Sequence, residues 1–197
     1  MDEYILDIIK KFVKEELDND FSGHDYNHAL RVYNNANKII INTKDEKINK
    51  KIILTSCLLH DCVDHKLFSD ITNQIEKIKK LLENYYDEKE IKEIIKIIDS
   101  ISFSKNNTLT DINAQIVCDA DRLDAIGAIG IIRTIEYGAC KKRKFDDDSK
   151  ESTINHFYDK LLKLKDLMYT NYAIALAKER HQFLELFLKQ YYKERKV

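Results

Sequence analysis

The chain has 197 residues with 33 basic and 34 acidic side chains, a formal net charge of −1, so no global field draws it to a nucleic acid polymer or an anionic membrane. Hydrophobic residues make up 44% and charged residues 34%, the balance of one folded domain with a sizeable core and not of a disordered chain. No proline and only four glycines leave too few turn residues for a β-rich fold, which points to helices joined by polar turns.

In chain order, Tyr4, Ile5, Ile8, Ile9, Phe12 and Val13 recur at helical spacing and predict an amphipathic helix over 3–17. "DNDFSGHD" breaks it with Gly23 and turn-forming Asp, Asn and Ser. A second helix is expected over about 26–41 and a third over 47–60, the third closing on "LLHDCVDHK". Two more follow at 70–86 and 88–101, and "SFSKNNT" reads as a loop. From Asp111 the pattern is helical again, strongly apolar from Ala125 to Ile135. "YGACKKRKFDDDSK" is a charged loop, the segment expected to be most mobile, and holds the local basic patch Lys141, Lys142, Arg143 and Lys144. Ser152 or Thr153 caps the next helix, and a last long helix is expected over about 172–192. The expectation is an all-α single domain of about eight or nine helices, 1–197, with its core in about 20–140 and C-terminal helices 151–195 packed on it.

The longest apolar run, Ala125 to Ile132, is far short of the roughly 20 residues of a membrane helix. Met1 is followed by acidic residues and not by the basic and apolar segments of a secretory leader. Cys57, Cys62, Cys118 and Cys140 lack metal-finger spacing and read as reduced, buried, small apolar residues. A cytoplasmic protein is the expectation. Composition leaves the oligomeric state open, a homodimer included.

Four stretches set histidine or aspartate against apolar helix faces: "GHDYNHALRV", "LLHDCVDHK", "CDADRLDAIG" and "NHFYDKLLKLK". A buried ionisable group is costly unless it is paired, hydrogen-bonded or bound to a metal. His28, His60, Asp61 and Asp121 together offer four ligands to one divalent ion and leave about two positions open, as a catalytic site requires. His60 and Asp61 point about 100° apart on a helix, so they share an ion only near a helix end.

"GHDYNHALRV", "LLHDCVDHK" and "DADRLDAIGAIGIIRT", taken in order, resemble the HD superfamily of metal-dependent phosphohydrolases, and the small stand-alone bacterial branch in particular. Its H…HD…D pattern is carried here by His28, His60–Asp61 and Asp121. "STINHFYDKLLKLKDLM" and "AKERHQFLELFLKQYYKE" extend the likeness to about residues 20–195. The resemblance implies an HD-type helical bundle that hydrolyses phosphoester or phosphoanhydride bonds, with relatives acting on nucleotides and some releasing pyrophosphate. It implies one divalent ion (Mn, Mg, Fe, Co, Ni or Zn), because the extra histidines of two-metal members are missing between Lys66 and Asp121. It implies a small phosphorylated substrate, a nucleotide first, cleaved by a metal-activated water.

Within that frame Asp61 belongs to the catalytic centre as a ligand. Asp64, one helical turn after His60, is the expected acid or base for the water's proton. Lys66, Arg122, His156 and Lys160 are expected to hold phosphate charge, with His156 and Lys160 four apart on one helix face. His24 is expected to hydrogen-bond substrate or a ligand, and Asp124 to orient a ligand or Arg122. His65 and His181 read as packing or surface residues, and Gly127 and Gly130 as close-packing positions. The competing reading is a metal-containing regulatory module that binds a nucleotide without turnover. A guanosine-alarmone hydrolase ranks lower, because Cys62 and Val63 stand where an acidic pair is expected.

Overall fold

The computed structural model describes residues 2–101, 108–147 and 151–195. Among these are nine α-helices: α1 Glu3–Leu17, α2 Tyr26–Ile41, α3 Lys50–Leu59, α4 Ile71–Leu82, α5 Glu88–Ser100, α6 Ile112–Asp124, α7 Gly127–Cys140, α8 Thr153–Asp159 and α9 Asn171–Arg195. Two 3₁₀ stretches, His60–Val63 and Leu161–Leu167, complete them, and no strand occurs among the described residues. Residues 102–107 of the expected loop at 102–108, and residues 148–150 at the end of the charged loop, lie outside the described residues.

Acidic and amide side chains set most helix starts. Asp2, Asp25, Asn49, Asp70, Asp87, Asp111 and Ser152 each accept a hydrogen bond from a first-turn N–H. Each such cap is worth about 1 kcal/mol. Asp25 accepts from the His28 N–H at 2.9 Å, so the cap of α2 also fixes the backbone of a candidate ligand.

Every residue from Ile52 to Leu59 is buried, which makes α3 the central helix. It packs on α1, α2, α5 and α6, while α2 lies along α6 and α7 packs on α9. One apolar core runs from Ile9 in α1 to Leu188 in α9.

Three local features depart from the expectations. The third helix ends at Leu59, and the backbone tightens into a 3₁₀ turn at His60. The run from Asp111 through Ile135 is two helices. The break falls at Ala125–Ile126, where Gly127 takes φ +78° and a Cβ on Gly130 would strike the Ala125 carbonyl. Gly127 thus answers a backbone need for positive φ, beyond close packing. The charged loop starts only after Cys140. Its described part is tied down, with the Thr153 and Ile154 N–H groups donating to the Lys144 and Phe145 carbonyls at 3.0 and 3.1 Å.

Asp119 ties the C-terminal helices to α6. This buried carboxylate accepts from the Thr170 N–H at 2.7 Å, the Thr170 hydroxyl at 2.8 Å and the Tyr169 N–H at 2.9 Å. Cys57, Cys62 and Cys118 are buried free thiols as expected. Cys140 instead lies exposed at the end of α7 and donates to the Phe21 carbonyl at 2.9 Å. No helix among the described residues is long and apolar enough to cross a membrane.

Candidate metal centre

The switch from α-helix to 3₁₀ turn at His60 brings His60 and Asp61 to one point. His28 arrives there from α2 and Asp121 from the last turn of α6. His28 Nε2 lies 3.2 Å from His60 Nε2, 3.3 Å from Asp61 Oδ2 and 3.4 Å from Asp121 Oδ1. His60 Nε2 lies 3.4 Å from Asp61 Oδ1 and 3.8 Å from Asp121 Oδ1. One donor atom from each of His28, His60 and Asp121 falls within 4.8 Å of the others. His28, His60 and Asp61 are buried, while Asp121 keeps 36% of its side chain exposed at the cleft.

The far nitrogens of both imidazoles are spoken for. His28 Nδ1 donates to Asp124 Oδ2 at 2.7 Å, and His60 Nδ1 donates to the Cys57 carbonyl at 2.8 Å. With each proton on Nδ1, both Nε2 lone pairs face the same point, beside two carboxylates. Asp61 Oδ2 is buried and lacks a hydrogen-bond partner. Converging lone pairs with an orphaned carboxylate oxygen call for a cation. Two imidazoles and two carboxylates suit a divalent ion of the Mn-to-Zn series.

The electrostatics agree. Burial and Arg133 depress the His28 imidazole, but Asp121, Asp124 and Asp61 outweigh them and lift it to about 10. Burial works against ionised Asp61, and His60, His28 and His24 still hold it well below the usual carboxylate range. Asp121 is held low likewise, by His28 and His60 against burial. The cluster is therefore rich in negative charge, and a proton on His28 is the compensation that a divalent cation would replace.

Asp124 anchors the centre from behind. Besides His28, it accepts from Arg31 Nε at 2.7 Å, Arg31 Nη2 at 3.1 Å and Arg133 Nη1 at 3.2 Å. It orients a candidate ligand, as one of its two expected roles had it, but its arginines are Arg31 and Arg133. Arg122 does not reach the cleft: its guanidinium donates to the Leu167 carbonyl and lies 5.4 Å from the Tyr169 ring centroid. Sequence reasoning passed over Arg31 and Arg133, though each left a trace. Arg31 is one turn after His28, and Arg133 is the single charge in the apolar run of α7.

The centre opens on a cleft with two lobes that share His24, Lys66, Ala125, Arg133 and Lys160. One lobe holds the candidate ligands His60, Asp61 and Asp121 together with Asp64, and is walled by Ile71, Ile75 and Ile78 of α4, Ile95 and Ile98 of α5, and Ile101. The other lobe is cationic and adds Arg143 and His156. His24, Lys66, His156 and Lys160 are thus brought together at the cleft.

His24 is fixed by Ser22 Oγ at 2.9 Å from Nδ1, with its ring centroid 6.1 Å from that of His28. Burial depresses Lys160 from its ordinary value. Asp64 does not sit on a helix with His60, since its backbone is extended (φ −77°, ψ 123°). It reaches the cleft wall by the chain's exit from the 3₁₀ turn, where its Oδ1 accepts the Lys66 N–H at 2.8 Å. His65 is exposed, and His181 is buried with Nε2 3.4 Å from Glu185.

The HD domain family model matches residues 25–126, from the cap of α2 through the α6–α7 break. An uncharacterised protein of Bacillus subtilis, YpgQ, is 36% identical over 191 residues, covering 94% of this chain and 91% of that protein. The crystal structure of YpgQ in complex with ADP superposes with a TM-score of 0.79, at 34% identity and over 95% of this chain and 96% of that one. A Lactobacillus plantarum protein matches with a TM-score of 0.85, at 31% identity and over 99% and 98% of the two chains. An HD-superfamily hydrolase from Bacillus thuringiensis does so with a TM-score of 0.78, at 39% identity and over 99% and 98%. With the His28, His60–Asp61 and Asp121 cluster inside the matched segment, the chain belongs to the HD superfamily.

Proposed function

We propose that this HD protein is a divalent-metal-dependent phosphohydrolase that cleaves a phosphoanhydride or phosphoester bond of a nucleotide. The observation that carries the reading is the convergence of two Nδ1-anchored imidazoles with Asp61 and Asp121 at the floor of a cleft that has cations on one side and isoleucines on the other. His28, His60, Asp61 and Asp121 would hold the ion. When bound, a divalent ion polarises a phosphoryl oxygen and acidifies a water.

The chain's own residues supply the rest. Asp64 takes the attacking water's proton from its place in the same lobe as the ligands. Lys66, Arg133 and Lys160 neutralise charge that develops on the phosphoryl oxygens. His24 stands between the lobes to hydrogen-bond substrate. The isoleucine wall excludes water and offers a flat apolar surface to a base. The ADP bound by YpgQ supports a nucleotide as the class of ligand.

Metal-stripped protein given Mn²⁺ and a panel of nucleoside mono-, di- and triphosphates tests this, with phosphate and pyrophosphate assayed separately. Release from at least one nucleotide is expected. Asp64→Asn should lower kcat about 100-fold or more while Mn²⁺ affinity stays within a few-fold. No release from any nucleotide, with Mn²⁺ demonstrably bound, would replace the hydrolase with the regulatory module.

A further inference from the structure

Away from the cleft the chain carries an exposed apolar patch that hydrolysis does not use. Phe21, in the turn after α1, is 80% exposed, and Ile132 and Ile129, one turn apart on α7, are 54% and 40% exposed. They border a groove of about 960 Å³ between the end of α1, the start of α2 and α7, and its apolar lining continues inward through Tyr26, Leu30 and Leu17. Apolar residues scattered singly are ordinary on a protein surface, but three around one apolar groove mark a contact surface. The groove lies behind the metal centre. Arg31 and Arg133 line it, and both donate to Asp124, the residue that holds His28.

The rim decides the charge of the occupant. Asp18, Asp20, Asp25 and Glu136 line the groove against Lys14, Arg31 and Arg133. With Asp124 already engaging both arginines, carboxylates outnumber cations five to three. Asp20 and Asp25 accept hydrogen bonds from Ser22, Asn27 and backbone N–H groups, neutral donors that leave the negative charge in place. Such a rim disfavours an anionic membrane, a nucleic acid, and a second copy of this chain, which would bring the same negative surface against itself. It favours an apolar segment with basic flanks.

The walls decide the backbone of the occupant. They are helices and the turn before α2, and no strand among the described residues offers a ladder edge. The incoming segment must satisfy its own backbone hydrogen bonds, as a helix does.

We propose that this groove is a docking site for an amphipathic helix of a partner protein. Its apolar side chains would seat among Phe21, Ile129 and Ile132, with Lys or Arg side chains against the exposed Asp18 and Glu136. The site stands apart from the hydrolase reading, since none of these five residues lines the cleft at the metal centre.

The probes are two fluorescein-labelled synthetic helices of about 15 residues, each with a leucine stripe at helical spacing. Lysines flank the stripe in one and glutamates in the other. Fluorescence anisotropy with the full chain reads binding, and the lysine helix is expected to bind about tenfold more tightly than the glutamate helix. Ile132→Asn and Phe21→Asn change no charge and fall at exposed positions. Each should weaken the lysine helix about tenfold while the urea denaturation midpoint stays at the wild-type value. Glu136→Lys should narrow the gap between the two helices.

No binding of the lysine helix, equal binding of the two helices, or binding indifferent to both asparagine variants overturns the proposal. Sedimentation equilibrium of the chain alone covers the other occupant. Ile132→Asn is expected to leave the oligomeric state unchanged; a dimer that this substitution dissociates would assign the groove to a second copy and overturn the partner helix.

Discussion

Replacing Asp124 with alanine removes an acceptor that four donor contacts use at once: His28 Nδ1, Arg31 Nε and Nη2, and Arg133 Nη1, all between 2.7 and 3.2 Å. Two consequences separate. For the metal centre, His28 loses the partner that fixes its tautomer and ring angle, and loss of such a partner costs about 10- to 100-fold in metal affinity. For the fold, breaking a buried charged pair costs about 3–5 kcal/mol. The low end applies here, because Arg31 is one-third exposed and can turn to water, whereas Arg133, at 13%, cannot readily do so.

The assays are Mn²⁺ titration of the stripped protein and urea denaturation without metal. Asp124→Ala is expected to bind Mn²⁺ at least tenfold more weakly and to lose about 3 kcal/mol. An affinity within twofold of wild type, together with an unchanged denaturation midpoint, would refute the assignment of Asp124 as the anchor of His28.

Asp119→Ala should dissociate stability from metal binding. It loses about 2–4 kcal/mol by stranding the Tyr169 and Thr170 donors at the entry to α9, and urea denaturation reads that loss while Mn²⁺ affinity stays within a few-fold. The His156 pKa of about 4, against an ordinary value of 6.5, makes protonation favour the unfolded chain. Stability contributed by neutral His156 is complete above pH 6.5 and is lost as pH falls towards 4, so melting curves of wild type should fall more steeply over that window than those of His156→Gln.

The helices were legible because their faces repeat at 3.6 residues and most of their starts carry aspartate, asparagine or serine at the capping position. The clustering of the candidate ligands was legible for a different reason. Histidine and aspartate pressed against apolar helix ends at His28, His60–Asp61 and Asp121 are costly without a partner, so their order along the chain carries information. What was not legible depends on tertiary geometry. The α-to-3₁₀ switch at His60 moves Asp64 off the helical face on which spacing had placed it, and Asp64 still reaches the cleft by another route.

Arg122 and Arg133 cannot be ranked by spacing from Asp124. The α6–α7 break at Gly127 decides the matter, turning α7 so that Arg133 comes back to Asp124 while Arg122 faces Leu167. The isoleucines of α4 and α5 show only helical spacing in sequence, and their assembly shows that five of them, with Ile101, wall the cleft. Cys140 escaped because its environment is set by Phe21, 119 residues away.

The central claim is that one divalent ion at His28, His60, Asp61 and Asp121 supports phosphoryl hydrolysis. The most direct measurement is release of phosphate or pyrophosphate from the preferred nucleotide while Mn²⁺ is titrated into stripped protein, with bound metal counted in parallel. Activity should rise in step with occupancy and level off at one ion per chain, and Asp61→Ala should neither retain the ion nor turn over. Undiminished hydrolysis by the stripped protein, or by Asp61→Ala, would contradict the account.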